Sequence, residues 1–306
     1  MQRLFYILLF TSHFSLFSLS ASAQVSAQMK LWDQKFRFPK INEIEFQGDT
    51  PQLASYDAIY GHGAMWENEW MGFRVYLDYR QSIDLYGKKH PQMELDQTNF
   101  YTTDEQWEAG YGEDILFVGQ SIGAGSFRGY ASDSLLFVNP VKARGQRVLK
   151  EGPDTAIVEI YANDWQYQGQ VLQFRQRFTA IRGQRGVKVD VYIDGNESVN
   201  DLHFATGVQK FEFNNSGIMR TDGLVASWGS NVPDKAGHPD RMHTLGMVVT
   251  VDEEYLVEVK EDTYNYLCIL RPVNGHIRYW MACASDLQEK DGFHSASAWF
   301  NWCRKN

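Results

Sequence analysis

The sequence predicts an all-β protein, a large antiparallel β-sandwich with a short helix at its C-terminus. Three observations lead there. Apolar and polar residues alternate with a period of two, as where Leu172, Phe174, Phe178 and Ala180 interleave with Gln173, Arg175, Arg177 and Thr179. Gly, Asn and Asp interrupt such runs at short intervals, as turns between strands require. Helical periodicity is scarce across the 306 residues. With 43% hydrophobic and 14% aromatic residues the chain has ample material for a core, which excludes disorder. A net charge of −9 repels phosphate, so no nucleic-acid partner is expected. Three cysteines, an odd number, exclude a miniprotein built on disulfides.

Residues 1–23 carry the pattern of a cleavable secretory signal. Arg3 precedes the apolar run Leu4-Phe5-Tyr6-Ile7-Leu8-Leu9-Phe10, and the small-residue exit Ala21-Ser22-Ala23 follows. The run is far short of the roughly 20 apolar residues that span a bilayer. Export with cleavage before Gln24 is therefore expected, giving a secreted or periplasmic protein with no membrane insertion. Losing Arg3 makes the mature chain one charge more acidic than −9. Residues 24–306 read as one β-sandwich domain, with 24–52 as an extended lead-in containing a candidate edge strand.

The densest segment is Tyr60-Gly61-His62-Gly63-Ala64-Met65-Trp66-Glu67-Asn68-Glu69-Trp70-Met71-Gly72-Phe73-Arg74-Val75-Tyr76-Leu77-Asp78. At a period of two, Met71, Phe73, Val75 and Leu77 share the core face, and Trp70, Arg74, Tyr76 and Asp78 share the other. If the strand runs back without a bulge, Trp66 and Asn68 join the second row. Unless a further layer covers it, such a row reads as a sugar-binding surface, with aromatic faces against a pyranose and Arg and Asn on hydroxyls or a carboxylate. His62, between two glycines, is a candidate proton shuttle. Glu67 and Glu69 fall on the core parity, where a buried carboxylate needs a partner.

Further along, Asp84, Tyr86 and Lys88 share one face of a strand, as a polar constellation or a solvated edge. A strand is expected at 115–118. The stretch Gly119-Gln120-Ser121-Ile122-Gly123-Ala124-Gly125-Ser126-Phe127-Arg128-Gly129 lacks the dinucleotide-binding spacing and reads as a tight corner, or as a loop that brings Arg128 to a ligand. Strands follow at 155–161, in the 172–180/187–193 hairpin, and at 244–251, 264–270 and 277–282. His203 alternates with Leu202 and Phe204, so it faces away from the core and toward the cleft expected at His62. His238 and His243 flank Pro239 and lack a metal-binding motif, so no metal and no other cofactor is expected. Cys268, Cys283 and Cys303 show no C-x-x-C spacing, and a free buried thiol is the common outcome. Ser295 is placed to cap a short helix carrying Trp299, Trp302 and Cys303.

The 60–76 block resembles a domain-of-unknown-function family of secreted proteins from glycan-degrading bacteria. So do Ser82-Ile83-Asp84-Leu85-Tyr86-Gly87-Lys88, Gly123-Ala124-Gly125-Ser126-Phe127-Arg128-Gly129, Gly229-Ser230-Asn231-Val232-Pro233-Asp234-Lys235 and Lys260-Glu261-Asp262-Thr263-Tyr264-Asn265-Tyr266-Leu267. The resemblance implies a galactose-mutarotase-like β-supersandwich and a carbohydrate function directed at uronic-acid-containing polysaccharides. It carries over no catalytic residues.

The first functional expectation is therefore proton abstraction next to the carboxylate of a uronic-acid oligosaccharide, by elimination or epimerisation. Arg74, with Arg128 or Lys88, would neutralise the carboxylate, and Tyr76 or His62 would exchange the proton, with His203 or a carboxylate as the second acid/base. A mutarotase-like reaction would pair Glu69 with His62. A glycoside hydrolase would draw two carboxylates from Glu67, Glu69, Asp78 and Asp84. For a non-catalytic glycan-binding module, Trp66, Trp70 and Arg74 suffice.

Overall fold

In the computed structural model, which describes residues 24–32, 38–230 and 242–306, the run that predicts a hairpin forms one. Gln170–Ile181 and Val187–Gly195 pair antiparallel, with Phe174 opposite Ile193 and Phe178 opposite Val189. The apolar row is buried and the polar row is exposed or half-buried, except at Thr179 and at Asp190, which Lys188, His276 and Arg278 enclose. The two strands lie inside a nine-stranded sheet among the described residues. Its order is Phe213–Arg220, Leu224–Ser230, Thr244–Val251, His276–Ser285, Val187–Gly195, Gln170–Ile181, Thr155–Tyr167, Ala143–Glu151 and Glu43–Gln47.

Two five-stranded sheets pack on its inner face. One runs Ser26–Gln28, Gly63–Glu67, Met71–Tyr76, Ile83–Gly87 and Glu113–Asp114, the other Leu256–Glu261, Asn265–Leu270, Phe204–Gln209, Arg128–Ala131 and Ser134–Leu136. All pairings within the three sheets are antiparallel. One continuous core joins the layers, with Phe73, Val75, Phe127 and Phe204 from the small sheets against Trp165, Phe174 and Phe178. Burying each such side chain contributes on the order of 1.5–3 kcal/mol. The protein is an all-β sandwich with a C-terminal helix.

The glycine-rich stretch is the corner between the two small sheets. Gly123 bridges Ile83 on one side, and Ala124 bridges Val208 on the other. At Gly123 φ is +65°, and a Cβ there would lie 2.6 Å from the Ile83 carbonyl oxygen, so only glycine fits without displacement. The 24–52 lead-in supplies two edge strands, Ser26–Gln28 and Glu43–Gln47. The strand expected at 115–118 is corrected to Glu113–Asp114. The Ile115 N–H still reaches the Leu85 carbonyl, after which the chain turns away toward Gly119 at φ +56°.

Ser295 caps the helix Ala296–Cys303, its hydroxyl accepting from the Ala298 N–H. The helix lays Trp299, Phe300 and Cys303 on Trp228, Val248, Ala282 and Ala284, covering one end of the large sheet's outer face. It packs so closely over Gly246 that a Cβ there would sit 2.7 Å from the Trp299 ring. Gly246→Ala is therefore expected to lower stability by about 1–3 kcal/mol through overpacking, read as a lower urea midpoint. An unchanged midpoint would mean that the helix shifts freely on the sheet. The three cysteines are unpaired and buried, and burial pushes the Cys303 thiol up to about 12.

The signal-like segment 1–23 and His238 lie outside the described residues. No helix among the described residues is long and apolar enough to cross a membrane. His243 sits between carboxylates, its Nε2 2.7 Å from Glu113 and its Nδ1 3.6 Å from Asp286. Burial disfavours its charge, but the two carboxylates outweigh this and lift its pKa from 6.5 to about 9. A folded-state pKa above the unfolded value gives stability that is complete below about pH 6.5 and lost as pH rises through about 9. That contribution is up to about 3 kcal/mol. His243→Gln should flatten this part of the stability–pH curve, and an unaltered curve would refute the ion triad.

Candidate functional site

The expected row of Trp66, Asn68, Trp70, Arg74 and Tyr76 is broken by a turn. Asn68 accepts the backbone N–H groups of Trp70 and Met71 at 2.9 Å each, closing a hairpin between Gly63–Glu67 and Met71–Tyr76. The register sets Trp66 opposite Phe73, which inverts the side-chain parity before the turn. Trp66 is thus 1% exposed and stacks between Phe73 and Phe178, with centroids at 5.3 and 4.6 Å. Its expected place against a sugar is corrected: it is core. Asn68 is buried as the turn's organiser and donates to the Arg185 carbonyl. Glu69 is buried at the same turn, accepting the Gly183 N–H at 3.1 Å. Its pairing with His62 is corrected, because His62 precedes the far end of the Gly63–Glu67 strand.

The second row keeps Arg74, but a further layer covers it. The segment carrying Leu95–Thr98 and Asp104–Glu108 folds over this face, burying Met65, Tyr86, Leu95 and Phe100 together. Arg74 is 1% exposed. Its guanidinium donates to Asp84 (2.7 and 3.1 Å), Asp114 (2.8 Å), Tyr76 (2.8 Å) and Tyr101 (3.1 Å), and lies over the Phe100 ring at 4.4 Å. Burial works against its charge, while Tyr76, Asp114, Asp84 and Tyr101 hold its pKa well above the ordinary value. With two carboxylates already on it, Arg74 is an internal hub and not a hand for a substrate carboxylate.

Tyr76 donates to Asp84 at 2.6 Å. Burial pushes its pKa well up, so it holds its proton and does not act as a base at neutral pH. Lys88, 0% exposed, uses its ammonium on Glu67 (2.5 Å) and on the Asn68 and Gln92 carbonyls (2.7 Å each). Arg128 is buried on the Phe127 carbonyl and the Ser82 hydroxyl at 2.8 Å each, and burial pushes it down to about 10. Their expected contacts with substrate are corrected for one reason: each cation is enclosed by its own fold. His203 is exposed before Phe204–Gln209 and does not line the His62 cavity.

His62 does reach a cavity, of about 570 Å³, lined by Trp32, Asp57, Ile59, Tyr60, Gly61, His62 and Tyr101. The His62 backbone takes φ +66°, a left-handed conformation uncommon outside glycine that follows Gly61 at +76°. Its ring stacks on Tyr56 at 3.8 Å, and Tyr101 stands edge-on at 6.1 Å. Nδ1 lies 3.1 Å from the Tyr56 carbonyl and 3.9 Å from Asp57, which makes Nδ1 the protonated nitrogen and Nε2 the basic one in the neutral ring. Tyr101, accepting from Arg74, keeps its own proton to donate. Burial raises its pKa against the pull of Arg74. Tyr60 and Trp32, 5.1 Å apart, extend the aromatic wall outward, and Trp32 is 45% exposed.

Trp32, Tyr56, Asp57, Tyr60, Tyr101 and Asp114 were not among the sequence candidates. Tyr56, Asp57 and Tyr60 stand within six residues of His62 and were legible as neighbours. Tyr101 and Asp114 carry no local signal. Tyr101 arrives with the covering segment and Asp114 with the edge strand that follows it.

A family model described as a domain of unknown function, DUF4861, matches residues 17–306. No curated protein matches the chain. Among solved structures, "Putative kojibiose phosphorylase from human microbiome" aligns at 10% identity with a TM-score of 0.46, over 86% of this chain and 34% of that one. The chain thus spans about a third of that structure's length.

Proposed function

The chain belongs to the DUF4861 family, and we propose that it is a carbohydrate-active protein whose His62 cavity receives one unit of an oligosaccharide. The observation that carries the proposal is the composition of the cavity: Trp32, Tyr60 and Tyr101 as walls, with an imidazole held by Tyr56 and Asp57. Aromatic faces suit the apolar side of a pyranose. Nε2 of His62 accepts a proton from a sugar hydroxyl, and the Tyr101 hydroxyl donates to a second oxygen. Together they support proton exchange at the anomeric centre, a mutarotase-like reaction.

Abstraction next to a uronate carboxylate needs a cation facing the ligand. Arg74, Lys88 and Arg128 are engaged elsewhere, so the elimination and epimerisation readings draw less support from this cavity. Hydrolysis by two carboxylates is weaker still. Glu67, Glu69, Asp78 and Asp84 are all buried with internal hydrogen bonds, and Asp57 is the one carboxylate among the described lining residues. Export through the 1–23 segment belongs to the same proposal, as the route by which the protein meets extracellular glycan. The test is to follow anomeric interconversion and chain cleavage of neutral and acidic oligosaccharides by NMR. Faster interconversion supports the reading. Binding without any conversion would leave a glycan-binding module.

A further inference from the structure

A second and larger cavity, of about 750 Å³, opens on the outer face of the nine-stranded sheet beside the C-terminal helix. It lies by the Asn68–Trp70 turn, at the opposite end of the Gly63–Glu67 strand from His62. At ~3.3 Å per residue that strand is ~17 Å long. Among the described residues, four aromatic rings line the cavity: Trp70 from the turn, Trp280 from the sheet, and Phe293 and Trp302 from the C-terminal segment. All four are half-buried, so each keeps part of its ring open.

The cation at this cavity is Arg185. It is 9% exposed, and its guanidinium lies 4.9 Å from the centre of the Trp70 ring and 5.1 Å from that of Phe293. Its hydrogen bonds go to neutral oxygens: the Gln288 side chain at 3.0 Å, the Asp291 carbonyl at 2.9 Å and the Cys283 carbonyl at 3.5 Å. No carboxylate among the described residues approaches within ion-pair distance, and the Asp291 carboxylate acts on it only from farther away. Arg74 and Lys88, buried to a similar degree, each hold a carboxylate. A guanidinium this enclosed is ordinarily paired. Arg128 and Arg144 are likewise enclosed on neutral oxygens, but of these three only Arg185 lines the large aromatic cavity, where a ligand can enter.

We infer that this cavity binds an acidic sugar residue, whose carboxylate pairs with Arg185 and whose ring lies against Trp280 and Trp302. The planar guanidinium matches a carboxylate in shape and charge, and the tryptophan faces match the C–H face of a pyranose. A neutral sugar would satisfy the walls and leave the cation unpaired. The inference is independent of His62. It places acid recognition away from the cavity proposed for proton exchange.

The test is a titration of the whole protein, followed by tryptophan fluorescence, with digalacturonate, galactobiose and sodium sulfate. Digalacturonate is expected to bind at least about tenfold tighter than galactobiose, the scale of one charge-assisted pair. Arg185→Gln should abolish the difference and Arg185→Lys should retain part of it. Trp302→Leu, with its urea midpoint measured alongside to separate binding from folding, should weaken both sugars. The readout is the acid preference set by Arg185 and not proton exchange at His62, so failure of the His62 proposal would not touch this one. Equal affinity for the two disaccharides would overturn the inference, as would an acid preference that survives Arg185→Gln, or undiminished binding by Trp302→Leu. Displacement of digalacturonate by equimolar sulfate would also overturn it, by reducing the site to simple anion binding.

Discussion

Arg74→Met is expected to destabilise the protein by about 3–5 kcal/mol, the cost of removing one partner from a buried ion cluster. The variant keeps much of the hydrophobic stem but leaves Asp84 and Asp114 facing each other without the guanidinium that bridges them at 2.7 and 2.8 Å. Tyr76 and Tyr101 lose an organising donor at the same time. Asp114 belongs to the last strand of this small sheet, 40 residues after Arg74, so the cluster ties that strand to the middle of the sheet. Adding Asp84→Asn should recover part of the loss, because one of the two stranded charges is gone. The measurement is the urea midpoint of the two variants and the parent. A parent-like midpoint with lost sugar binding would instead make Arg74 a ligand-facing residue, against the enclosed geometry.

His62→Asn is expected to slow anomeric proton exchange by about 10²–10⁴-fold, the usual scale for a positioned acid–base group. Asparagine is the informative replacement because it tolerates the left-handed backbone of this position, at φ +66°, and carries no titrating group. The aromatic wall of Trp32, Tyr60 and Tyr101 is untouched, so affinity for the same sugar should stay within a few-fold, an order-of-magnitude expectation for a residue that acts on protons more than on binding. Undiminished turnover would remove His62 from the mechanism. A parallel loss of affinity and rate would make it a binding residue, and the glycan-module reading would gain.

The strands were legible because their determinants are local. The period of two in 172–193, the turn residues between strands and the Ser295 cap each act within a few residues, and all three appear as read. The Thr244–Val251 strand matches its expected bounds. His62 was legible as well, through the glycines that flank it. The binding row was not. Its assignment depended on whether the chain runs straight or turns at Asn68–Trp70, and one turn reversed the parity of every side chain before it.

By itself, then, the amino-acid sequence determined an all-β chain, its long hairpin, its terminal helix and a histidine in an unusual backbone position. Tertiary structure alone decided which polar side chains meet solvent. Arg74, Lys88 and Arg128 look alike in sequence to Arg185, since charge and spacing carry no information about enclosure. Tyr101 and Asp114 reach Arg74 from 27 and 40 residues away, and Asp114 adds a second carboxylate to that of Asp84 on the adjacent strand. Arg185 sits where the Asn68 turn and the C-terminal helix leave a gap, and receives none. Burial and pairing of a charge are set by what packs on it from distant parts of the chain, and that information is not local.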